Sequence, residues 1–278
     1  MAKKSGSDDI RTVRPIIANG KTRLSGVDTG ATCGFGSDKA ATEAILLQLN
    51  AQLVELQNVL YAEHKHKVLV VLQAMDTGGK DGTIRKVFSG LNPQGVRVAG
   101  FKAPTPDELD HDYLWRVHQQ VPRKGEIVIF NRSHYEDVLV TRVHRWVDDR
   151  TAKRRFRQIN EFEAMLVEEG TVVLKFFLHI SKAEQKQRLQ DRLDDASKAW
   201  KFNLGDLDER KLWDDYQRVY EEAVNATSSP HAPWYIVPAD KKWIRDVYVS
   251  SVLVAALREL SMAYPAPQPG LDKVVIAD

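Results

Sequence analysis

Five short segments of this chain are almost wholly apolar and rich in β-branched residues, and a stretch with helical character follows each one. They are residues 67–73 (KVLVVLQ), 95–101 (GVRVAGF), 126–130 (EIVIF), 171–179 (TVVLKFFLH) and 234–237 (WYIV). Strands that read as continuous apolar runs are buried on both faces, and their alternation with helices argues for a parallel sheet covered on both sides. Helices are expected over residues 38–63, 79–88, 106–120, 152–169, 183–193, 209–226 and 240–262. The first carries Ile45, Leu46, Leu49, Leu53, Leu56, Val59 and Leu60 at helical spacing behind a capping Asp38. With no internal repeat and no linker, residues 38–263 read as one domain with a helical insert near 190–208. Residues 1–37, rich in Gly, Ser, Thr and Lys, read as an arm that is partly disordered or wraps the fold. Residues 264–278 form a Pro-rich tail.

A formal net charge of +2 is too balanced for a surface that binds nucleic acid, so any anion site must be local. The lone Cys33 excludes an intramolecular disulfide and fits a reducing compartment. The N-terminus lacks the apolar core of a signal peptide, and clean apolar runs such as 68–72 fall far short of the roughly 20 residues of a membrane-spanning helix. A soluble, cytoplasmic protein without a membrane partner is expected.

In a doubly covered parallel sheet the chemistry sits beyond the carboxyl ends of the strands. After the first strand comes AMDTGGKDGT, residues 74–83, a near match to G-x-x-x-x-G-K-[ST] in which Ala74 replaces the first glycine and Asp81 the hydroxyl residue. Gly78, Gly79 and Gly82 would let the N–H groups of 78–83, Thr83 included, approach a phosphate at a helix N-terminus. Lys80 would neutralise transferring oxygens, and Asp76 and Asp81 favour a metal-rich phosphate site. The plainer alternative is a Gly-rich turn with an incidental lysine.

The third strand ends in Asn131-Arg132-Ser133-His134-Tyr135-Glu136-Asp137. Arg132 could clamp a phosphate, with Glu136 and Asp137 holding metal directly or through water, or Arg132 could simply pair with one of those carboxylates. Arg188 and Arg192 share a helical face and could close over phosphates, or pair with Asp191, Asp194 and Asp195. Arg142, Arg145, Lys153, Arg154, Arg155 and Arg157 form a basic cluster suited to a linear polyanion or to a solvated helix face. His111, His118, His134 and His144 lack the paired spacing of a zinc site. Trp115 is read as core in preference to a base-stacking platform.

Four motifs in order, MDTGGKDGT, DHDYLWRVHQQVP, IFNRSHYEDVLVTRVH and KAWKFNLGDLDERKLWDDY, resemble the polyphosphate kinase 2 family over residues 38–261. The resemblance implies a P-loop kinase-like α/β three-layer sandwich. Its five-stranded parallel sheet would be like that of thymidylate kinase and would carry a mobile helical lid. It implies transfer of phosphate between inorganic polyphosphate and a nucleotide with Mg2+ or Mn2+, in a dimer or tetramer. Asp76 and Lys80 match the modified Walker A residues, Asn131 and Arg132 the Walker B segment, and Arg188 and Arg192 the lid arginines. Catalytic roles fall to Asp76, Lys80, Arg132, Asp137 and Arg188, and metal binding to Asp76 and Asp137. Asn131, Glu136 and Asp137 resemble the subclass that phosphorylates both AMP and ADP and so handles AMP, ADP and ATP. The alternatives are a conventional ATP-dependent kinase and a non-catalytic polyphosphate-binding protein.

Overall fold

The computed structural model describes residues 13–276. Helix α1 (Lys39–Glu63) is capped by Asp38, whose side chain accepts the Ala41 N–H. Strand β1 (Lys67–Ala74), α2 (Lys80–Val87) and β2 (Val96–Gly100) follow, then α3 (Pro106–Asp110), α4 (Trp115–His118) and β3 (Ile127–Asn131). A 3-10 turn (His134–Val138) leads to α5 (Val140–Val143), α6 (Asp149–Glu168) and β4 (Thr171–His179). The chain continues through α7 (Lys182–Asp194), α8 (Gly205–Lys211), α9 (Trp213–Thr227), β5 (Trp234–Pro238) and α10 (Lys242–Glu259).

The five strands form one parallel sheet in the order β2-β3-β1-β4-β5. Val68 to Leu72 of central β1 are wholly buried, and each such side chain contributes about 1.5–3 kcal/mol. Helix α10 packs on α1, α2, β4 and β5, while α6 packs on β4, α9 and the 3-10 turn. The connections that leave β1 and β3 therefore depart to opposite faces, which opens a crevice at the carboxyl ends of these neighbouring strands. Both sequence motifs lie there.

Residues 13–36 pass the outer edge of β5 at 16–18 and go on to contact α9 and the end of β4. Ala18 N–H donates to Trp234 O, Ile236 N–H donates to Ile16 O, and Leu24 and Phe35 are buried. These bonds occupy part of an otherwise open sheet edge. The expectations for residues 1–12 and 277–278 lie outside the described residues.

Two expected helices are broken. The 106–120 helix stops at Asp110 and restarts at Trp115, because the Asp112 carboxylate takes the Leu114 N–H and builds a local turn. The 209–226 helix begins earlier and is split at Leu212, whose N–H bonds back three residues to Glu209 O. Between α7 and α8 the chain makes one 3-10 turn, Ala199–Lys201. Among the described residues no helix is long and apolar enough to cross a membrane.

Candidate active site

The loop after β1 reverses tightly, with Gly78 N–H bonded to Met75 O, Thr77 at φ 60° and Gly79 at φ 101°. Helix α2 starts at Lys80, so the free N–H groups of its first turn face the crevice. Lys80 Nζ donates to Ala74 O at 3.1 Å. Burial, and then the neighbouring Arg132 cation, hold the Lys80 ammonium below its ordinary pKa. Thr83 departs from its expected role. It lies one turn into α2, its N–H is bonded to Gly79 O, and its side chain is buried away from the crevice.

At the end of β3, Asn131 Nδ2 donates to Asp81 Oδ1 at 2.7 Å and joins the two motifs. Arg132, at φ 65°, donates through Nη2 to Asp76 Oδ1 at 3.4 Å. Glu136 turns back towards the same place. With the Gln73 amide oriented to satisfy both neighbours, its nitrogen donates to Glu136 Oε1 at 3.0 Å. Burial holds the Glu136 carboxyl above the usual carboxylate range despite Arg132 and Lys80.

Asp137 does not join them. Successive residues of a 3-10 turn point about 120° apart, so Asp137 faces away from Glu136. It sits 3.8 Å from Arg155 and 4.0 Å from Arg116, and Arg155 Nη1 also donates to its carbonyl at 2.7 Å. Its expected place as a metal ligand beside Asp76 is thus replaced by a brace between α4 and α6.

Arg188 is buried behind the loop. It donates to Glu184 Oε1 (2.7 Å), Thr77 O (3.0 Å) and Ala239 O (2.5 Å), and so ties α7 to the loop and to the end of β5. Arg192 donates to Asp206 Oδ2 and Lys201 O, both at 3.2 Å, and holds the insert against α7. The alternative pairing of these arginines with Asp191, Asp194 and Asp195 does not occur. Those carboxylates take Gln187, Gln190 and Lys198 instead.

The crevice measures about 630 Å3, and among the described residues ten basic and four acidic side chains line it. The basic set comprises Lys80, Arg132, Arg188 and Arg192 with Arg85, Lys102, Lys198, Lys201, Lys242 and Arg245; the acids are Asp76, Asp81, Asp191 and Asp206. Converging cations over low-dielectric walls concentrate a polyanion far more than the chain's net charge suggests. Arg245 is a residue that sequence reasoning missed. It is buried against Asp246, with Nη2 2.7 Å from the carboxylate, and a Cβ added at Gly79 or Gly82 would meet its guanidinium. The available signal was an Arg-Asp pair inside an otherwise apolar helix. A smaller cavity of about 270 Å3 shares Asp76, Arg132 and Asp206 with the crevice and is closed by Glu136, Glu209, Tyr216 and Tyr220.

The remaining candidates lie elsewhere. Arg142 pairs with Asp149 and Glu222, Arg155 with Asp137 and Arg157 with Glu161, so half of the basic cluster is committed to internal ion pairs. Trp115 is half-buried, stacks on His111 at 4.0 Å and does not line the crevice.

Residues 36–264 match the sequence model of Polyphosphate kinase 2 (PPK2). The chain is 58% identical over 261 residues to an AMP/ADP-polyphosphate phosphotransferase of Meiothermus ruber, covering 94% of this chain and 98% of the relative. It is 44% identical to an ADP-polyphosphate phosphotransferase of Rhodopseudomonas palustris, covering 81% and 82% of the two chains. The crystal structure of polyphosphate kinase 2 from Arthrobacter aurescens superimposes with a TM-score of 0.90 at 44% identity, over 97% of this chain and 95% of that one. The chain belongs to the polyphosphate kinase 2 family, and the sandwich expected from the motifs is the fold observed.

Proposed function

We propose that the crevice transfers phosphate reversibly between inorganic polyphosphate and adenine nucleotides, converting AMP to ADP and ADP to ATP. The observation that carries this reading is the concentration of ten basic side chains around one Gly-rich helix N-terminus. A crevice so cationic suits a long phosphate chain and the phosphates of a nucleotide together. The relative at 58% identity is named for AMP and ADP, which supports the adenine assignment.

In this mechanism the N–H groups at the start of α2 cradle the transferring phosphoryl. Lys80 exchanges a neutral acceptor, Ala74 O at 3.1 Å, for charged phosphate oxygens. Arg132 enters from the β3 side, and Arg192 and the lysines of the insert from above. The acceptor nucleotide's terminal phosphate oxygen attacks the end phosphoryl of polyphosphate in line, and the shortened polyphosphate leaves. Such transfers depend on positioning and charge stabilisation rather than on a protein nucleophile. Asp76 and Asp81 offer hard oxygen donors at the loop mouth. They fit Mg2+ or Mn2+, which such sites hold through one or two carboxylates and the substrate phosphates. When bound, that ion neutralises charge developing on the transferring oxygens.

The test is chromatography of AMP incubated with long-chain polyphosphate and Mg2+ in the absence of ATP. ADP followed by ATP supports the reading. If AMP stays unchanged while ADP yields ATP, the acceptor is restricted to ADP. If neither nucleotide reacts, the proposal fails.

A further inference from the structure

Three consecutive buried residues, Ser133, His134 and Tyr135, separate Arg132 from Glu136. Behind them lies a charged network sealed in the core. Lys175 is fully buried on β4, at the register of Val71 in β1, and Glu163 of α6 is 1% exposed. Lys175 Nζ spends its three protons on Glu163 Oε2 (2.5 Å), Thr227 O (2.7 Å) and Tyr135 Oη (3.0 Å). Tyr135 Oη donates to Glu163 Oε1 at 2.8 Å, and His134 Nε2 lies 3.3 Å from the same oxygen. Thr227 Oγ1 in turn accepts from Trp234 Nε1 at 2.9 Å.

A buried ion pair is weak support for stability, since apolar residues of similar volume often do as well or better. Here its bonds converge on the segment between two active-site side chains. Arg132 sits at φ 65°, a left-handed conformation that a bulky residue keeps only where its surroundings over-determine it. Its own N–H is held by Leu72 O at 3.2 Å, and Ser133 Oγ accepts from the Tyr135 N–H and packs on Gln73. The anchor beyond that is the Tyr135 hydroxyl.

We infer that the Tyr135–Glu163–Lys175 triad is a positioning device that pins the segment after β3 and thereby aims the Arg132 guanidinium at the loop carrying Asp76 and Lys80. The role rests on the phosphotransfer reading above. None of the three side chains lines the crevice, so each acts through Arg132 and not on substrate.

A double-mutant cycle in the full chain tests it. Tyr135→Phe removes only the hydroxyl and keeps the ring against Trp234. With polyphosphate and ADP, kcat is expected to fall about tenfold, with KM for either substrate moved less than about twofold, because the loss is one of aim. In an Arg132→Ala background the same substitution is expected to change kcat less than about twofold, because its target is gone. If Tyr135→Phe does not fold, Glu163→Gln is carried through the same cycle. Wild-type kcat in the single variant, or an equal fold loss in both backgrounds, overturns the inference. A wild-type chain that does not use polyphosphate at all refutes the reaction, and the triad's role with it. An active wild type with an additive cycle refutes the triad alone.

Discussion

The three glycines of the phosphate loop carry different steric loads, and replacing each with alanine separates them. At Gly78 a Cβ would overlap Ala74 Cβ and lie 2.8 Å from Met75 O. Both neighbours are fixed to the buried end of β1, so neither can swing aside and the loop itself must shift. Overpacking of this kind costs about 1–3 kcal/mol. For a chain of this size that lowers the thermal midpoint by about 2–12 °C. A shift of about 1 Å in the loop lowers turnover about 100-fold. At Gly82 the nearest atom is Arg245 Nη2, at 3.1 Å, which needs to give by only a few tenths of an ångström. There the gain of about 0.5–1 kcal/mol for alanine inside a helix offsets the displacement of the guanidinium. Gly82→Ala should melt within a few degrees of wild type, judged on the same scale of about 2–4 °C per kcal/mol. Gly79→Ala combines the Arg245 collision with a φ of 101° and should be the least stable of the three. Thermal melts by circular dichroism and the nucleotide assay read both quantities. A Gly78→Ala protein with wild-type midpoint and rate, or a Gly82→Ala protein destabilised as much as Gly78→Ala, refutes the steric argument.

Lys80→Ala should lower turnover about 100- to 1,000-fold while leaving the melt nearly unchanged, since it removes one charge donor from the transition state. Asp76→Asn should raise the Mg2+ concentration needed for half-maximal rate. Asp137→Asn, acting on the Arg116 and Arg155 brace, should instead lower the thermal midpoint and leave that concentration within about twofold. An equal Mg2+ shift in the two variants would return Asp137 to the metal site. Glu136 has a folded pKa raised by burial, so its contribution to stability is present below the ordinary carboxylate pKa and is lost as pH rises through the folded value. Glu136→Gln should therefore melt higher than wild type at neutral pH, with the gap closing as pH falls towards the ordinary carboxylate range. A gap that does not vary with pH contradicts this.

The sheet was legible because its strands are buried on both faces, so their apolar runs survive without alternation; Val68 to Leu72 is the plainest case. The loop and the end of β3 were legible as motifs because local chain order places them: Gly79 and Lys80 open the helix that follows β1, and Asn131 ends β3. What fails is direction. Nothing local distinguishes Glu136 from Asp137, since their opposite orientations follow from a 3-10 turn whose geometry the neighbouring core imposes. Thr83 was misplaced for a related reason, because the point at which α2 begins decides which N–H groups stay free. Arg245 lies more than 160 positions beyond the loop that it supports, and only tertiary packing of α10 against α2 brings them together. The Lys175–Glu163 pair was hidden inside segments read for their hydrophobicity.

The origin of the transferred phosphate tests the account most directly. ATP formed from ADP alone could also arise by exchange between two nucleotides, so the label must enter from the polymer. The protein, Mg2+ and 32P-labelled polyphosphate are mixed with unlabelled AMP, and the products are separated and counted by position. The account predicts label first in the β-phosphate of ADP and then also in the γ-phosphate of ATP, with both appearing about 100- to 1,000-fold more slowly in Lys80→Ala. Unlabelled ADP and ATP, or no nucleotide product while the polymer stays intact, would contradict it.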